Sequence, residues 1–221
     1  MDVWQDLRTG LLELADQDPS PLRAWPSLST KPGRNPPPPP YSIWLAPWAA
    51  GVAAELHQRY GAGVDLRLGA LRYPERTTVD VRERPTAPPL DEAELTVALD
   101  GPLSIRSGHA TTRELLVGNR TAARLEFVMG PLLVADVVDP RTGEIVGGHS
   151  GSMDAVRGGF SVAPGGTTRV PLLVATDSFD PNLGYAVPPG EWGIQVTLTA
   201  ERAPGPASLS RTPVLPLTVI A

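Results

Sequence analysis

Short segments in which every second residue is apolar fill the second half of the sequence. Between Glu94 and Leu99, for example, apolar and other residues alternate without a break. Similar segments follow at residues 103–106, 113–119, 123–129, 132–139, 158–162, 168–176, 193–200 and 214–220. A period of two is the spacing of side chains on a β-strand with one buried face. Helical periodicity is absent, so this region predicts an antiparallel β-sandwich or barrel.

Turn-forming residues separate these predicted strands. They are Asp100-Gly101, Ser107-Gly108, Asn119-Arg120-Thr121, residues 139–143, Pro164-Gly165-Gly166 and Pro188-Pro189-Gly190. Gly, Pro, Asn and Asp favour turns because they adopt or stabilise backbone conformations that other residues avoid. The spacing of these turn residues predicts that residues 91–221 form one sandwich of many short strands.

The first half of the sequence predicts a small mixed α/β region over residues 1–90. Apolar residues at helical spacing predict a short helix from Val3 to Leu14. A second helix is expected between Pro47 and Gly61, with strands at residues 43–45 and 64–70. We place the domain boundary near Pro88 and Pro89.

Two features of this first region are open to more than one interpretation. Residues 19–40 are rich in proline and end in five consecutive prolines, which predicts a stiff spacer or, alternatively, a docking peptide. Four of the five tryptophans, Trp4, Trp25, Trp44 and Trp48, lie in the first 48 residues. In a region with few aliphatic residues, we expect them to form core more than an exposed recognition surface.

Composition excludes several classes of function. The net charge is −5, lysine occurs once, at Lys31, and no basic run is present. These features argue against nucleic-acid binding and against polybasic attachment to a membrane. Cysteine is absent, which removes disulfides, thiolate metal sites and cysteine nucleophiles. The first residues lack the apolar run of a signal peptide, so we expect a cytoplasmic location.

Catalytic and ligand-binding motifs are weak or missing, and we predict no catalytic, cofactor-binding or metal-binding residue. Residues 148–152 nearly spell G-x-S-x-G, but a glycine-rich loop is the simpler interpretation. His57, His109 and His149 have no metal-ligand spacing. Residues 177–182 carry several side-chain oxygens, for which turn stabilisation is favoured over a calcium site. No phosphate-binding glycine loop is present.

Some of the turn sequences are familiar. The turn Asn119-Arg120-Thr121 between two early strands, and Pro188-Pro189-Gly190-Glu191-Trp192 at the start of a late strand, resemble bacterial immunoglobulin-like and fibronectin-III-like domains. The pattern is also similar to the intracellular proteinase inhibitor family of bacilli. The resemblance covers residues 94–220 and implies an immunoglobulin-like sandwich, with protease inhibition as one possible activity. No inhibitory loop carries over to particular residues.

These observations favour a non-enzymatic protein-binding or adaptor protein, mainly β in fold. An intracellular protease inhibitor and an enzyme with a site between the two domains are the alternatives. Sandwiches present loops and edge strands to partners. Candidate surfaces are the loops at residues 147–153 and 177–185 and the aromatic face of the first region. The candidate contact residues are Trp44, Trp48, His149, Phe179, Asp180 and Tyr185.

Overall fold

A computed structural model describes residues 3–24, 39–79, 87–130, 132–151, 158–201 and 207–221. The helices and strands are, in chain order, α1 (Val3–Ala15), β1 (Leu22–Ala24), β2 (Tyr41–Leu45), α2 (Ala50–Tyr60), β3 (Val64–Leu68), β4 (Leu71–Tyr73), β5 (Leu95–Leu99), β6 (Ser104–Arg106), β7 (Ala110–Asn119), β8 (Leu125–Met129), β9 (Leu133–Val138), β10 (Ile145–Gly148), β11 (Gly158–Val162), β12 (Thr167–Ala175), β13 (Asp177–Ser178), β14 (Gly190–Glu201), β15 (Ser208–Arg211) and β16 (Leu215–Ile220). None of the helices in these ranges is long and apolar enough to span a bilayer.

The first strands form a separate four-stranded sheet in the order β1-β2-β3-β4. Strands β2 and β3 are parallel and are joined by α2, while the outer pairs are antiparallel. Alternate strand residues face the two helices, as a period of two requires. Their shared core consists of Trp4, Leu7, Leu11, Tyr41, Ile43, Leu45, Ala49, Ala53, Leu56, Val64, Leu66 and Leu68. The sequence expectation of a helix-plus-strand unit is therefore confirmed for this part of the fold.

Asp6 joins the two helices. Its carboxylate accepts a hydrogen bond from the Tyr60 hydroxyl at 2.8 Å and another from the Arg59 guanidinium at 2.7 Å. Partial burial, followed by the hydrogen bond to Asp6, raises the pKa of Tyr60 to about 12. The neutral phenol is thus the form that the folded chain stabilises.

The remaining strands form one hydrogen-bonded sheet, joined through β9 and β12, that folds over a shared core as a sandwich of two layers. In one layer β7 lies between β5 and β12, all antiparallel. In the other, the long strand β14 pairs with β16 and β9 in its first half and with β15 and β8 in its second half. Both layers bury every second residue in one core, exemplified by Val117 of β7 and Val196 of β14. The predicted mainly β fold, with an immunoglobulin-like sandwich after a small α/β region, is confirmed.

Pro171 lies inside β12 without breaking the sheet. The Asn119 N–H donates to the Gly166 carbonyl, so these two residues are a hydrogen-bonded pair of the β7–β12 ladder. Bonded and non-bonded pairs alternate along an antiparallel ladder, so Pro171 belongs to a non-bonded pair and its nitrogen points away from β7. On its other side the described pairing of β12 with β9 begins at Leu172. The missing N–H of Pro171 therefore removes no hydrogen bond from the β7–β12 ladder or from the described pairing with β9.

Several details differ from the sequence expectations. Strands β1, β4, β13 and β15 lie in segments that the sequence did not predict as strands, and β1 lies within the segment expected to be a proline-rich spacer. The sandwich is also not fully antiparallel, because β9 runs parallel to β12 and β6 runs parallel to β16. Both parallel pairs join segments far apart in sequence, so neither is visible in a local pattern.

Some expectations fall partly outside the described residues. These are the proline-rich segment up to residue 38, including Trp25 and Lys31, and residues 152–153 of one candidate loop. The domain boundary near Pro88 and Pro89 stays a prediction. Leu90 packs in the sandwich core, and its N–H donates to the Arg211 carbonyl at 2.8 Å.

The hydrogen bond from Tyr60 to Asp6, which joins α2 to α1, predicts that Tyr60→Phe lowers the stability of the protein. Loss of the hydroxyl removes a hydrogen bond to a carboxylate, so we expect the free energy of unfolding to fall by about 1 kcal/mol. Urea denaturation near neutral pH measures this. Tyr73→Phe is the control, because no hydroxyl hydrogen bond of Tyr73 is found among the described residues, and it should change stability less. Equal losses in the two variants would contradict the role of Asp6.

Candidate functional site

The small sheet meets the sandwich at the carboxyl ends of β2 and β3. A Cβ atom added to Gly69, just after β3, would lie 3.0 Å from Pro47 Cγ and 3.2 Å from Asp177 Cβ. A Cβ atom added to Gly108 would lie 3.2 Å from the backbone nitrogen of Trp48. Contacts this short are tighter than most Cβ contacts, so a side chain at either position would require its neighbours to shift. The junction is therefore closely packed from both sides.

Aromatic side chains flank this junction. The rings of Trp48 and His109 stack with centroids 5.9 Å apart. On another side, Tyr185 lies 6.1 Å from the ring of Tyr73 and 5.5 Å from the Arg76 guanidinium. Each contact joins a residue of the first sheet region to a residue of the sandwich. The aromatic residues thus add apolar and cation–π contacts across the boundary.

The carboxylate of Asp177 is buried at the same junction. The backbone N–H of Ser150 donates to Asp177 Oδ2 at 3.2 Å, and the Ser150 hydroxyl donates to the same oxygen. Asp177 Oδ1 has no hydrogen-bond partner in the part of the chain that the structure describes. Burial raises the pKa of Asp177, against the lowering effects of the Ser150 hydrogen bonds, Arg23 and His149. Protonation is one way to reduce the penalty of a buried carboxylate.

This geometry bears on the serine of the near-match to G-x-S-x-G. A nucleophilic serine needs a base that takes its proton, usually a histidine that is held by a third group. The Ser150 hydroxyl instead donates directly to Asp177, and the ring of His149 lies over Gly151, where an added Cβ would approach it at 2.6 Å. The hydrogen bonds from Ser150 to Asp177 fix the position of this loop. This geometry agrees with the interpretation of residues 148–152 as a glycine-rich loop.

A second feature is an open groove on the sandwich. Its lining residues are Gly143, Glu144, Ile145, Val146, Phe179, Asp180, Pro181 and Arg211, and its volume is about 610 Å³. Apolar side chains and charged side chains are mixed in this lining.

The oxygens of residues 177–182 do not converge on a common point. Asp177 is turned toward Ser150, as described above. Asp180 Oδ1 accepts hydrogen bonds from the backbone N–H and the side-chain amide of Asn182, both at 2.9 Å. Asp180 therefore stabilises its own turn, which is the interpretation that the sequence favoured. Across the described ranges, no group of three or more His, Cys, Asp or Glu residues is placed to hold a metal ion.

The predicted contact residues do not form one surface. Trp48, His149 and Tyr185 lie at or beside the junction, Phe179 and Asp180 line the groove, and Trp44 lies on the face of the small sheet opposite the helices, with the Arg67 guanidinium 5.3 Å from its ring. Their role as contacts stays a prediction. Trp4 is core, as expected, whereas Trp48 is 37% exposed. Sequence reasoning did not identify Arg23 or His109 as parts of the junction, and no local signal marks either residue.

Comparisons with known proteins add little to this description. No protein-family model and no curated protein matches the sequence. Among solved structures, the chain is similar to the ASH/PapD-like domain 7 of human CEP192, at 11% identity and a TM-score of 0.30, over 63% of this chain and 92% of that one. It is also similar to the CooA pilin subunit of enterotoxigenic Escherichia coli, at 11% identity and a TM-score of 0.24, over 58% and 99%. Likenesses this weak indicate nothing about what the chain does. The resemblance to the proteinase inhibitor family stays a prediction.

The burial of Asp177 predicts a pH-dependent stability. Because the pKa of Asp177 is raised in the folded state, the contribution of Asp177 to folding stability is present at acidic pH. It is lost as the pH rises through that pKa. Asp177→Asn does not titrate, so the melting temperature of the wild type relative to the variant should fall as the pH rises above the ordinary pKa of an aspartate. Thermal melts at a series of pH values measure the difference.

Asp139→Asn is the control for this experiment, because the hydrogen bonds from Arg141 lower the pKa of Asp139. The melting temperature of the wild type relative to Asp139→Asn should therefore rise with pH, which is the opposite trend. The change should be small because Asp139 lies on an exposed turn. A pH-independent difference for Asp177→Asn would contradict the raised pKa.

The packing around Gly69 predicts a large effect of Gly69→Ala. Gly69 has a φ of +58°, and Gly61 has a similar φ of +51° but nothing within 4 Å of an added Cβ. Gly61→Ala should thus carry only the backbone penalty of its own conformation (φ +51°, ψ −127°), which L-residues rarely adopt and which costs about 1–3 kcal/mol. Gly69→Ala adds crowding against Pro47 and Asp177, for about 1–3 kcal/mol more. Urea denaturation of both variants measures the difference, and equal losses would show that the junction is loosely packed.

Proposed function

We propose that this chain is a non-enzymatic protein-binding module whose partner occupies the groove beside Phe179. The observation that carries the proposal is the mixture of apolar and charged groups in one open groove. Ile145, Val146 and Phe179 provide apolar surface, and Glu144 and Arg211 add charges of opposite sign. Protein partners bind such patches by burying an apolar anchor inside a polar rim.

The walls of the groove are held by hydrogen bonds before any partner arrives. On one side, the Phe179 N–H donates to the Val146 carbonyl at 2.9 Å, and the Ser178 hydroxyl donates to the Asp180 carbonyl at 2.8 Å. On the other, the Asp139 N–H donates to the Glu144 carbonyl at 2.9 Å. A preformed surface loses little conformational entropy on binding. This favours recognition of a partner without a folding step.

The groove also indicates what kind of partner it accepts. It is shallow and open, so it suits a side chain on a protein surface better than an enclosed small molecule. Glu144 and Asp180 contribute two carboxylates to the lining, against the single guanidinium of Arg211. A partner with an apolar anchor beside a basic residue matches this balance.

The non-enzymatic part of the proposal rests on Ser150. Its hydroxyl donates to the buried carboxylate of Asp177 and not to a histidine, so the serine motif does not have the histidine base of the G-x-S-x-G hydrolases. The alternative of a protease inhibitor rests on resemblance alone, and no contact among the described residues favours it.

Site-specific photo-crosslinking tests the groove. A photoreactive residue placed at Glu144 should crosslink the partner in extracts of the source cells, while the same residue at Glu55, exposed on α2, should not. The captured protein is then produced in pure form and titrated. Phe179→Ala should weaken its binding at least about tenfold, because the apolar anchor loses its contact.

A charge reversal gives a matched pair of variants. Glu144→Arg should weaken binding, and Glu55→Arg, with the same change in charge, should leave the dissociation constant unchanged. Equal crosslinking from both positions, or wild-type binding by both Phe179→Ala and Glu144→Arg, would contradict the proposal.

A further inference from the structure

Strand β5 lies at the edge of its sheet. It pairs with β7 on one side, in the register Leu95↔Asn119 to Leu99↔Leu115. No other strand of the described residues pairs with it. A sheet edge of this kind presents backbone donors and acceptors that another strand can use.

The hydrogen bonds to β7 identify which groups face outward. The Arg120 N–H donates to the Glu94 carbonyl at 2.8 Å, and the Asp100 N–H donates to the Glu114 carbonyl at 3.2 Å. Because bonded and non-bonded pairs alternate in an antiparallel ladder, Thr96 and Ala98 bond to β7 while Val97 and Leu99 point away from it.

The outward groups form a usable ladder. The N–H of Leu95 is satisfied by the Asp91 carbonyl at 2.9 Å. Its carbonyl, together with the N–H and C=O groups of Val97 and Leu99, remains on the open side with no backbone bond to any described residue. Five groups in alternation match the pattern that an added antiparallel strand needs.

Three of the usual protections of an edge are missing from this strand. Lysine, proline and a bulge are all absent between Leu95 and Leu99. By contrast, the Thr168 hydroxyl donates to the Ser161 carbonyl at 3.0 Å on the edge strand β11. Beside β4, the Arg72 N–H donates to the Thr77 carbonyl at 2.9 Å. Strand β5 is therefore more accessible to an extended segment than either of these edges.

Charges at the two ends of β5 decide between possible occupants. In a symmetric antiparallel pair of two copies centred on Val97, Glu94 of one copy would face Asp100 of the other. Like charges directly opposite each other destabilise a sheet. At one end Glu92 and Glu94 lie beside Arg120, which donates to the Glu92 backbone carbonyl. At the other end Arg169 bonds to Asp100 and Glu114. Each end therefore has two carboxylates against one guanidinium and keeps a net negative charge.

We propose that the open edge of β5 binds an extended segment of a partner protein, with alternating apolar residues and a basic residue at each end. The acidic ends of β5 attract such a segment and oppose pairing with a second copy. This inference goes beyond the groove: it involves none of the groove-lining residues, and either surface can fail its test without affecting the other.

Hydrogen exchange of the free protein tests the edge directly. The amides of Val97 and Leu99 should exchange much faster than those of Thr96 and Ala98, because only the latter two are bonded within the sheet. Two-dimensional NMR resolves the four amides. Slow exchange at Val97 and Leu99 in dilute solution would mean that another segment of the chain already covers the edge, and would overturn the proposal.

A synthetic peptide of alternating valine and threonine, with lysine at each end, serves as the probe for binding. It should shift the amide signals of Val97 and Leu99 and slow their exchange. The same peptide with glutamate at each end should bind at least about tenfold more weakly. No shift with the lysine peptide at millimolar concentration, or equal binding of the two peptides, would overturn the proposal.

Val97→Pro tests the backbone contact, and Val97→Ala is the matched control. Both variants lose packing of the valine side chain, but only proline removes the outward N–H, and it leaves the bonds to β7 in place. Binding of the lysine peptide should be lost in Val97→Pro and retained in Val97→Ala. Equal binding by both variants would overturn the proposal. A wild-type dimer, seen by sedimentation and abolished in Val97→Pro, would identify a second copy as the occupant and would also overturn it.

Discussion

A buried carboxylate organises the corner where the two parts of the chain meet. Asp177 begins a strand of only two residues, which pairs with the glycines at the end of β10. The Val187 N–H donates to the Thr176 carbonyl on the neighbouring segment at 2.9 Å. Burying a carboxyl group is unfavourable unless hydrogen bonds or protonation compensate for lost hydration. The two donors of Ser150 provide such bonds, so the position of the 148–151 loop and the burial of Asp177 depend on each other.

The same corner explains why the small sheet and the sandwich fit closely. Gly69 and Gly108 approach from opposite sides, and the stack of Trp48 on His109 covers one flank. Interiors of this density resist sliding, since a small displacement creates overlap on one side and a gap on the other. The open groove and the free edge of β5 are therefore presented by a framework of fixed shape.

The sequence was informative where side-chain periodicity is strong and local. Strands such as β7 and β12 follow directly from it, as does the helix α2 with its terminal Gly61. It was uninformative for β1, which lies in a proline-rich segment, and for β13, which is too short to show a period. The burial of Asp177 was also invisible, because aspartate in a polar segment normally indicates an exposed turn. Loop composition did point to Phe179 and Asp180, which line the groove together.

The order of strand pairing has a consequence for how the chain folds. All four strands of the first sheet lie between Leu22 and Tyr73, so its contacts close short loops. The sandwich instead pairs β6 with β16, where Ser104 meets Thr218. Long loops are entropically costly to close, and folding slows as contacts become more distant in sequence. During synthesis, β6 therefore stays without its partner strand until β16 has been made.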